Sequence, residues 1–590
     1  MIRGIIVYVE IGDIVRIHIR RGENKDIIEL PFFPVIYVRE RDFYRFEKIF
    51  GDIIIDTEYS SSSIGFSERC PVVGIKVSYN DYLRLRRIYR MLSFEIFHLD
   101  MYIEHMVVRV PSLNPVDLKI KDGKICGEYL WGIRPEVPPE LKIYYVYRGR
   151  NMWFIEDIHG YKETFASLMD FLEEHSPDIV ISKHRIPGED ILKIHPEDTK
   201  YGIEGILEKA YFTYAMPKRL VSLTIGNAVE SRQTHFALER GIILPQKENP
   251  NTYLGDIDTY KSVDVGGLIM TPDPGIYENV VALDFTSLFP HIIVRYNISY
   301  ENTFLDGVRN MGGVGFLPSI VAEPLERRKI FKKMDNIHAR NRARMLKLLL
   351  VSCYGYAGKS DNRFGNFLIN FWINKYSREI LLSVIDKAKS LGFRVLYADT
   401  DSIFIQGSRE KIRLIVKYAE ELGFPLVVEY DFKKIAFIRG RDGRPVVKRY
   451  YGITRDGNIV IKGLMAVRSN VPRIVRIFQR ELIWCILTKN TVPESLLEEY
   501  VEKIIRNPDI SELRAVVRFG KNAAEYKNNS WIARLAWGSK AKRGEKLEIL
   551  YTQTGAVPYR LKKYSIRKYI SLLQAAYQEA TSCLTNIYKL

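Results

Sequence analysis

Cysteine is scarce in this chain of 590 residues. The five cysteines are scattered, and none forms a Cys-x-x-Cys pair: Cys70, Cys126, Cys353, Cys485 and Cys583. An odd number of widely spaced cysteines excludes a complete disulfide framework and a cysteine-based zinc site. The sequence is therefore typical of a protein from a reducing compartment, and we expect a cytoplasmic location.

Long uncharged apolar runs are also missing. No stretch approaches the roughly 18 consecutive apolar residues that a membrane helix needs, and residues 1–10 have the pattern of a strand rather than of a leader. Internal repeats and low-complexity linkers are absent as well. We expect a soluble protein of several domains with no membrane partner, since 590 residues with 46% hydrophobic content can bury more than one core.

Positive charge is in excess, and most of that excess lies near the C-terminus. The formal net charge is +17, and residues 441–590 alone contain 28 Lys and Arg against 13 Asp and Glu, an excess of 15. A basic lobe of this kind is typical of proteins that bind a phosphate backbone. A merely solvated basic surface is the alternative, and the concentration of charge in one lobe disfavours it.

Two short acidic blocks lie in the middle of the chain. Asp284 ends an apolar, strand-like run, and Asp399 and Asp401 form an acidic turn between two apolar runs. A single Asp at a strand end is more often a turn residue or a helix cap. A hairpin turn, however, has no need of two carboxylates that repel each other, whereas magnesium prefers oxygen ligands and completes its shell with water and phosphate. Together the blocks predict a two-metal site.

Two basic helical segments separate these acidic blocks. Arg328 and Lys332 are four residues apart, and Arg344 and Lys347 are three apart. Each pair therefore lies on one face of its helix. Two such faces brought together would hold a polyphosphate.

With these residues the chain resembles the family B DNA polymerases. Residues 284–293 are similar to the first palm motif of the family, Asp-x-x-Ser-Leu-Tyr-Pro-Ser-Ile-Ile, with Phe289 in place of Tyr and His291 in place of Ser. Residues 397–402 match the second palm motif, Tyr-x-Asp-Thr-Asp-Ser. The motifs follow one another in the order that the family has.

Three further segments carry the same resemblance. Residues 347–355 are similar to the fingers motif Lys-x-x-x-Asn-Ser-x-Tyr-Gly, with Val351 in place of Asn. Residues 448–450 resemble the Lys-x-Tyr element beside the primer terminus, and residues 463–468 resemble the segment that leads from palm to thumb. The chain has only seven glutamines among many charged residues, which is typical of thermophiles. The resemblance is therefore to a short archaeal paralogue of the family.

The resemblance implies a multidomain α/β (α+β) fold. We expect a right-hand polymerase with palm, fingers and thumb, preceded by an N-terminal domain and a reduced RNase H-like exonuclease domain. The expected boundaries are 1–130 for the N-terminal domain, 131–215 for a degenerate 3′–5′ exonuclease-like domain, 216–322 for the first part of the palm, 323–356 for the fingers, 357–469 for the second part of the palm and 470–590 for the thumb.

The resemblance also implies the roles of individual residues. The implied catalytic residues are Asp284, Asp401, Asp399 and Lys347. The implied metal ligands are Asp284, Asp401 and the backbone carbonyl of Phe285. The implied nucleotide-binding residues are Ser287, Leu288, Phe289, Arg328, Lys332, Lys347 and Tyr354. The predicted DNA-binding residues are Gly355, Lys448, Tyr450 and Arg468, to which the basic lobe adds Lys562 and Lys563. Two Mg²⁺ ions are the expected cofactors, with Mn²⁺ as a substitute.

Two of these assignments involve a choice. A one-residue slip would give Arg327 the role of Arg328, and the Arg-x-x-x-Lys spacing to Lys332 favours Arg328. Phe289 places an aromatic ring where the family has Tyr, so the ring should still exclude a 2′-hydroxyl and select deoxynucleotides. The expected product is DNA.

The exonuclease-like region departs most from the family pattern. The family has Asp-x-Glu at the end of the first strand of this domain, where this chain has Tyr147 and Gly149. The surviving carboxylates of the second element are Glu189 and Asp190, and no convincing Tyr-x-x-x-Asp follows for the third. Because these carboxylates alone cannot hold two ions, we predict that the chain has no proofreading exonuclease.

The sequence thus predicts a template-directed DNA polymerase that adds deoxynucleotides to a primer 3′-hydroxyl by two-metal phosphoryl transfer, without proofreading and suited to repair or lesion bypass. Val351 and Asp264, which replace family residues, predict reduced fidelity or processivity. The alternative is a weak or inactive polymerase-derived DNA-binding or scaffold protein, and the acidic clusters disfavour it because unpaired buried carboxylates are costly.

The expected partners are primer–template DNA and dNTPs in the nucleoid. Binding of a sliding clamp or of accessory subunits stays an open question. Residues 585–590 lack the Gln and paired aromatics of a clamp-binding peptide.

Overall fold

The structure consists of two compact units, each built from two separate stretches of chain. The computed structural model describes residues 2–66, 69–130, 132–149, 152–188, 190–247, 266–359, 362–506 and 508–584. The first unit contains Met1–Gly266 and Ser287–Tyr376, and the second contains Gly267–Thr286 and Ser377–Leu590. Both units mix helices and sheets, as the predicted fold class requires.

Two antiparallel sheets form the N-terminal region of the first unit. Its elements are β1 (Ile2–Glu10), β2 (Ile14–Arg21), β3 (Asn24–Pro31), β4 (Val35–Arg39), α1 (Glu40–Phe50), β5 (Asp56–Ser63), β6 (Arg69–Lys76), α2 (Tyr79–Ile88), β7 (Pro115–Lys121) and β8 (Lys124–Tyr129). The strand orders are β3-β2-β1-β7-β8 and β4-β6-β5. Val15, Ile17 and Ile19 alternate along β2 and share one core with Phe46 of α1. Strand β8 ends close to the predicted domain boundary at residue 130.

A five-stranded mixed sheet follows. Its elements are β9 (Ile143–Arg148), β10 (Trp153–Asp157), β11 (Lys162–Phe165), α3 (Leu168–His175), β12 (Ile179–Ile181) and β13 (Leu192–Ile194), with the strand order β11-β10-β9-β12-β13. Strands β9, β10 and β11 are antiparallel, and β12 lies parallel to both β9 and β13. Helix α3 packs on one face of the sheet around Phe171. This sheet occupies the stretch predicted as the exonuclease-like domain.

Helices make up the rest of the first unit. They are α4 (Gly202–Thr213), α5 (Pro217–Leu220), α6 (Ile225–Glu239), α7 (Leu288–Arg295), α8 (Phe316–Lys333), α9 (Ile337–Ala357) and the first part of α10 (Phe367–Ser390). Helices α8 and α9 pack on each other, and the side chain of Asn336 caps α9 by accepting a hydrogen bond from the backbone of Ala339. They form the helical pair predicted as the fingers.

Helix α8 begins ahead of residue 323, where the fingers were predicted to start, and continues through a proline. Pro324 has no N–H, so the carbonyl of Ile320 lacks its usual helical partner. The Nε of Arg232 on α6 donates to this carbonyl at 2.8 Å. The substitute hydrogen bond allows the helix to continue where sequence patterns predict a break.

A seven-stranded antiparallel sheet is the centre of the second unit. Its elements are β14 (Ile269–Met270), β15 (Gly275–Phe285), β16 (Arg394–Asp399), β17 (Ser402–Gln406), α11 (Ile412–Glu421), β18 (Leu426–Arg439), β19 (Pro445–Thr454) and β20 (Ile459–Lys462). The strand order is β14-β16-β17-β15-β18-β19-β20. The apolar run of β15 is buried from Val280 to Leu283 because β15 is the central strand.

Helices and a small sheet complete the second unit. They are α12 (Arg473–Lys489), α13 (Glu494–Arg506), β21 (Ala515–Arg518), α14 (Trp531–Ser539), β22 (Lys546–Thr552), β23 (Gly555–Pro558) and α15 (Ile566–Thr581). Helix α12 confirms the helical start expected after Pro472, and its Phe478 and Leu482 share a core with Leu573 of α15. Across the described ranges, no helix is long and apolar enough to cross a membrane.

Candidate active site

Asp284 and Asp401 lie at the same end of the central sheet of the second unit. Asp284 on β15 pairs in register with Ser402 of β17, the residue after Asp401. The backbone N–H of Phe285 donates to the backbone carbonyl of Asp401 at 2.8 Å. The structure therefore brings together the two carboxylate residues that the sequence singled out as principal metal ligands.

A tight turn between β16 and β17 presents the second acidic block. Thr400 has a left-handed φ of 59°, and the N–H of Asp401 donates to the carbonyl of Asp399 at 2.6 Å. The N–H of Thr400 donates to Leu268 at 2.8 Å, and Ser377 Oγ donates to the carbonyl of Thr400 at 3.3 Å. Contacts from two other segments thus fix the turn.

Asp399 is held by neighbours of its own sheet. Its Oδ2 accepts from the hydroxyl of Tyr397 at 3.0 Å, and its Oδ1 accepts from Thr400 Oγ1 at 3.1 Å. Lys448 Nζ lies 3.4 Å from the same carboxylate, and the N–H of Lys448 donates to the Tyr397 hydroxyl at 3.0 Å. Asp399 and Lys448 therefore form one network with Tyr397, which fits an accessory role for Asp399 better than that of a principal ligand.

Tyr450 lies beneath this acidic end rather than on the surface. Its ring packs edge-on against Phe404 with a centroid distance of 5.2 Å, and only 7% of the residue is exposed. Burial raises the pKa of Tyr450, and the nearby charges of Glu429 and Asp284 add to that effect. Sequence analysis predicted that Tyr450 binds DNA; its ring is part of the sheet core, so little besides the hydroxyl is left for such a contact.

The oxygen donors at this end of the sheet fit magnesium. The chain can offer the carboxylates of Asp284 and Asp401 and the carbonyl of Phe285, all hard oxygen ligands of the kind that Mg²⁺ takes. Within the described part of the chain, no group of three or more His, Cys, Asp or Glu side chains is arranged to hold an ion. Two carboxylates completed by water and substrate phosphates remain a suitable Mg²⁺ site, because this ion keeps much of its hydration shell.

The first unit contains a basic groove between α8 and α9. This groove has a volume of about 350 Å³. Its basic lining residues are Arg328, Lys332, Lys333, Arg340, Arg344 and Lys347. Asp335 is the acidic residue of the lining, and it lies 3.6 Å from Arg340. The two helical faces predicted to meet around a polyphosphate do meet.

Arg327 and Arg328 have different surroundings. Arg328 lines the groove, and its Nη1 donates to Ser287 Oγ at the start of α7 at 2.5 Å. Arg327 points instead to the buried carboxylate of Glu208 on α4, with Nε and Nη2 at 2.9 and 3.0 Å from the two oxygens. Of the two residues that sequence spacing left open, Arg328 is the one at the groove.

Glu208 binds both helices of the groove to α4, and sequence analysis missed it. Besides Arg327 of α8, Arg342 of α9 donates from Nη1 to Glu208 Oε2 at 2.9 Å, and all three side chains are buried. Burial disfavours charge on Arg327, but Glu208 outweighs this and raises the pKa of the guanidinium. No local signal could reveal the cluster, because Glu208 is more than 100 residues from both arginines in sequence.

Phe289 and Tyr354 form an aromatic pair in the first unit. Their ring centroids are 4.4 Å apart and the rings are tilted by 40°. The hydroxyl of Tyr354 donates to Asn374 Oδ1 at 2.9 Å. Leu288, which was also predicted to bind the nucleotide, lies at the start of α7 and is buried in the core. Both rings are only partly buried, so they can present a surface to a sugar.

Comparison with known proteins shows which family these residues are similar to. Residues 226–311, which include Asp284 and the start of α7, match the model of DNA polymerase family B. The chain is a relative of the family B DNA polymerases. Over 98% of its length its fold matches 99% of the chain of the family B DNA polymerase from the hyperthermophilic archaeon Pyrobaculum calidifontis, with a TM-score of 0.72 and 18% sequence identity. The predicted multidomain polymerase fold is confirmed.

Curated archaeal DNA polymerases are similar in sequence over about half of the chain. DNA polymerase 2 of Saccharolobus solfataricus is 27% identical over 336 residues, which are 54% of this chain and 52% of that protein. The DNA polymerase of Archaeoglobus fulgidus is 29% identical over 325 residues, 51% of this chain and 40% of that protein. The chain thus spans about half the length, or less, of the curated relatives it matches.

The other predicted DNA-binding residues belong to both units, Gly355 to the first and Arg468, Lys562 and Lys563 to the second. Gly355 is exposed near the end of α9. Arg468 donates from Nε to the carbonyl of Gly463 at 3.2 Å and lies 3.6 Å from Glu579, so it orders the segment that follows β20. Lys562 and Lys563 are exposed and follow a short turn at Tyr559–Leu561.

The five-stranded sheet, in the stretch predicted to be exonuclease-like, has an aromatic ring where the family pattern has a carboxylate. Tyr147 lies near the end of β9, and Gly149 follows that strand. The ring of Phe154 covers Gly149, because a Cβ at residue 149 would lie 2.5 Å from Phe154 Cε2. Asp190 is paired with Lys25 Nζ at 2.6 Å. Glu189, Asp264 and residues 585–590, which sequence analysis also singled out, lie outside the described residues.

Proposed function

We propose that this chain is a DNA-directed DNA polymerase that adds deoxynucleotides to a primer 3′-hydroxyl. The observation that carries the proposal is the position of Asp284 and Asp401 on neighbouring strands, joined by the 2.8 Å hydrogen bond from Phe285 to Asp401. Two carboxylates and one carbonyl at a sheet end are suited to bind ions that also bind a triphosphate. The relatives named DNA polymerase support this activity.

The carboxylates of the second unit have a defined task in this reaction. Asp284, Asp401 and the carbonyl of Phe285 would hold two Mg²⁺ ions. These ions, when bound, would ease deprotonation of the 3′-hydroxyl and neutralise charge on the transferred phosphoryl group. Asp399 keeps its contacts with Tyr397 and Lys448, so it sets the local charge and the position of the Lys448 ammonium beside the primer.

The basic groove of the first unit is suited to the triphosphate of the incoming nucleotide. Arg328 offers a guanidinium fork for phosphate oxygens, and its bond to Ser287 fixes its direction. Lys332 and Lys347 are exposed point charges on the two facing helices. Lys347 Nζ is our candidate for the proton donor to the leaving pyrophosphate. Catalysis here consists of positioning and charge neutralisation.

The ring of Phe289 is our candidate for sugar discrimination. It needs no hydroxyl group to exclude a ribose, because an aromatic face under C2′ leaves no space for an additional oxygen. The contact with Tyr354 at 4.4 Å supports the ring from one side. The enzyme should therefore prefer dNTPs.

Proofreading is absent in this proposal. The Phe154 ring lies where a side chain at residue 149 would begin, and Tyr147 offers no carboxylate. Asp190 is neutralised by Lys25. A two-ion hydrolytic site needs several carboxylates free to bind metal, so we propose repair or lesion bypass, rather than bulk replication, as the role of the enzyme.

Primer extension with purified protein, Mg²⁺ and dNTPs tests the proposed activity. Asp401→Ala should lose extension and keep its affinity for primer–template DNA, because that affinity comes mainly from phosphate contacts. Asp431→Asn is a matched control on the same sheet, since Asp431 pairs with Arg409 and Arg455. Extension by Asp401→Ala above a few per cent of the wild-type rate would refute the metal assignment. A wild type that binds DNA without extending it would favour the scaffold alternative.

A further inference from the structure

A buried asparagine of α10 supports the aromatic pair of the first unit. The hydroxyl of Tyr354 on α9 donates to Asn374 Oδ1 at 2.9 Å. Asn374 is only 3% exposed, whereas Tyr354 and Phe289 are partly buried. The ring of Tyr354 in turn contacts the ring of Phe289, with a centroid distance of 4.4 Å. The three residues therefore form a chain of contacts from α10 to the ring that we propose selects the sugar.

The hydrogen bond between Tyr354 and Asn374 fixes a direction. The hydroxyl lies at the far end of the tyrosine side chain, so a bond at this point fixes the direction in which the whole ring leaves α9. A buried polar pair contributes little net stability, and apolar groups of the same shape can replace it almost without loss. A hydrogen bond weakens steeply when its geometry is poor, whereas apolar packing is non-directional. The pair therefore serves the orientation of the ring more than the stability of the fold.

Helix α10 is a rigid support for this bond. A Cβ at Gly358, at the end of α9, would lie 2.0 Å from Asn370 Nδ2 on α10, so the two segments approach each other closely. Two residues before Asn374, Trp372 Nε1 donates to the backbone carbonyl of Phe304 at 2.8 Å. Packing against α9 and a bond to the segment after α7 thus hold this part of α10 in place.

The ring of Phe289 depends on packing for its position. Its side chain has no polar atom, so no hydrogen bond of its own can fix the ring. Aromatic pairs favour offset or edge-on arrangements over a face-to-face sandwich, and the two rings are tilted by 40°. A Tyr354 ring that turned away would leave Phe289 free to move from its place under C2′ of the sugar.

We propose that Asn374 is a positioning residue for sugar selection: its Oδ1 holds the ring of Tyr354, and that ring holds Phe289 under the incoming nucleotide. The inference rests on the polymerase function proposed above. Asn374 is too buried to contact the substrate itself. Loss of its acceptor should therefore relax the discrimination against a 2′-hydroxyl without removing a catalytic group.

Primer extension by the full-length protein with dNTPs and with rNTPs tests this role. Asn374→Leu is similar in size and has no acceptor. The ratio of kcat/KM for a dNTP to that for the matching rNTP should fall in this variant by about two- to tenfold, the equivalent of one ordinary hydrogen bond. The fall should come from a lower KM for the rNTP. Asn374→Asp keeps an oxygen acceptor and should keep the wild-type ratio, whereas an unchanged ratio in Asn374→Leu would overturn the proposal.

A matched control separates positioning from general destabilisation. Asn114→Leu removes another buried asparagine, whose Nδ2 donates to the carbonyls of Ser112 and Leu207 at 2.8 and 3.3 Å. General destabilisation lowers the amount of active enzyme and acts equally on both sugars, so the ratio should stay at its wild-type value in this variant. An equal fall of the ratio in Asn114→Leu and Asn374→Leu would assign the effect to destabilisation and overturn the proposal.

A double-mutant cycle tests whether Asn374 acts through Tyr354. Tyr354→Phe removes the donor of the same hydrogen bond, so it should lower the ratio as Asn374→Leu does. The double variant should be no worse than either single variant, because all three lose one and the same bond. Effects that multiply in the double variant would show that Asn374 acts by another route, which contradicts the proposal. Where Asn374→Leu does not fold, Asn374→Ala removes the same acceptor and takes its place in the cycle.

A measurement without catalysis distinguishes failure of this inference from failure of the proposed function. 3-Fluorotyrosine at position 354 retains the hydroxyl, and its fluorine NMR resonance reports the surroundings of the ring. The resonance should shift or broaden in Asn374→Leu and stay unchanged in Asn114→Leu. An unchanged resonance in Asn374→Leu would refute the positioning role, whether or not the protein extends primers. A wild type that extends no primer would instead refute the polymerase function and the selection of sugar together.

Discussion

Replacing Glu208 by alanine should weaken the attachment of the groove helices to α4. The Glu208 carboxylate is fully buried and accepts three hydrogen bonds of 2.9 to 3.0 Å from Arg327 and Arg342. Alanine would leave the buried guanidinium of Arg342 without this counter-charge, and Arg327 would keep only the partly exposed carboxylate of Glu323 at 3.5 Å. Each arginine would also keep its bonds to backbone carbonyls, at Gly132 for Arg327 and at Pro135 and Glu136 for Arg342.

The expected loss is large for a single substitution. Removing one partner from a buried ion pair costs about 3–5 kcal/mol. With about 1.4 kcal/mol for each factor of ten, this raises the equilibrium constant for local opening by about two to four orders of magnitude. The whole chain need not unfold in one step, so the loss should be measured locally.

Hydrogen–deuterium exchange of peptides from α4, α8 and α9 provides that local measurement. Glu326→Ala is the control, because the ion pair of Glu326 with Lys329 lies on the exposed side of α8 at 3.4 Å and should contribute less than about 1 kcal/mol. Protection in Glu208→Ala equal to that in Glu326→Ala would show that the buried cluster does not hold the helices.

The same cluster predicts a pH dependence. Burial alone would raise the pKa of Glu208, but Arg327 and Arg342 outweigh it and hold the pKa below its usual value. A carboxylate with a lowered folded-state pKa stabilises the fold fully above its unfolded-state pKa, which is about 4.3. The contribution is lost as the pH falls through the folded-state value. The protection factors of α9 amides, which correct for the intrinsic pH dependence of exchange, should therefore fall in acid for the wild type, and less for Glu208→Gln.

Three further outcomes test the proposed polymerase. Phe289→Val should raise the use of ribonucleotides relative to deoxynucleotides in primer extension by a large factor, and an unchanged ratio would show that another residue discriminates. Neutralising Lys562 and Lys563 should weaken binding of any duplex sequence. The slope of log Kd against log salt concentration should fall by about 0.9 for each phosphate that a lysine no longer neutralises. An unaltered slope would show that these lysines do not contact DNA. A 5′-labelled primer with a 3′ mismatch should stay full length with Mg²⁺ and without dNTPs, and shortening that persists in Asp401→Ala would prove an active exonuclease.

The acidic residues of the site were predictable because their chemistry is local in sequence. Asp284 ends an apolar run, Asp399 and Asp401 share one turn, and sheet pairing brings the two blocks together. The helix periodicity that pairs Arg328 with Lys332 likewise depends only on near neighbours. Such short patterns also indicated the two basic helical segments that became α8 and α9, whereas the mixed α/β fold class was implied by the resemblance to the family.

The remaining features depend on contacts between distant parts of the chain. The burial of Tyr450 could not be predicted from the Lys-x-Tyr element, because it depends on contacts with Phe404 and Phe432 of other strands. The continuation of α8 through Pro324 depends on Arg232 of α6. The covering of Gly149 depends on the ring of Phe154 across a hairpin. Each of these is decided by tertiary packing, which a linear pattern does not contain.

The central position of β15 has a consequence for synthesis of the chain. This strand ends at Phe285, whereas its neighbour β18 ends at Arg439. A ribosome adds about 5–20 residues per second, so the apolar strand waits on the order of ten seconds for its second partner. Until Gln406 has been made both of its edges lack native cover, and until Arg439 the edge that pairs with β18 still does. A nascent chain of this protein therefore needs protection from aggregation at that stage, and slow translation beyond residue 285 would lengthen the exposure.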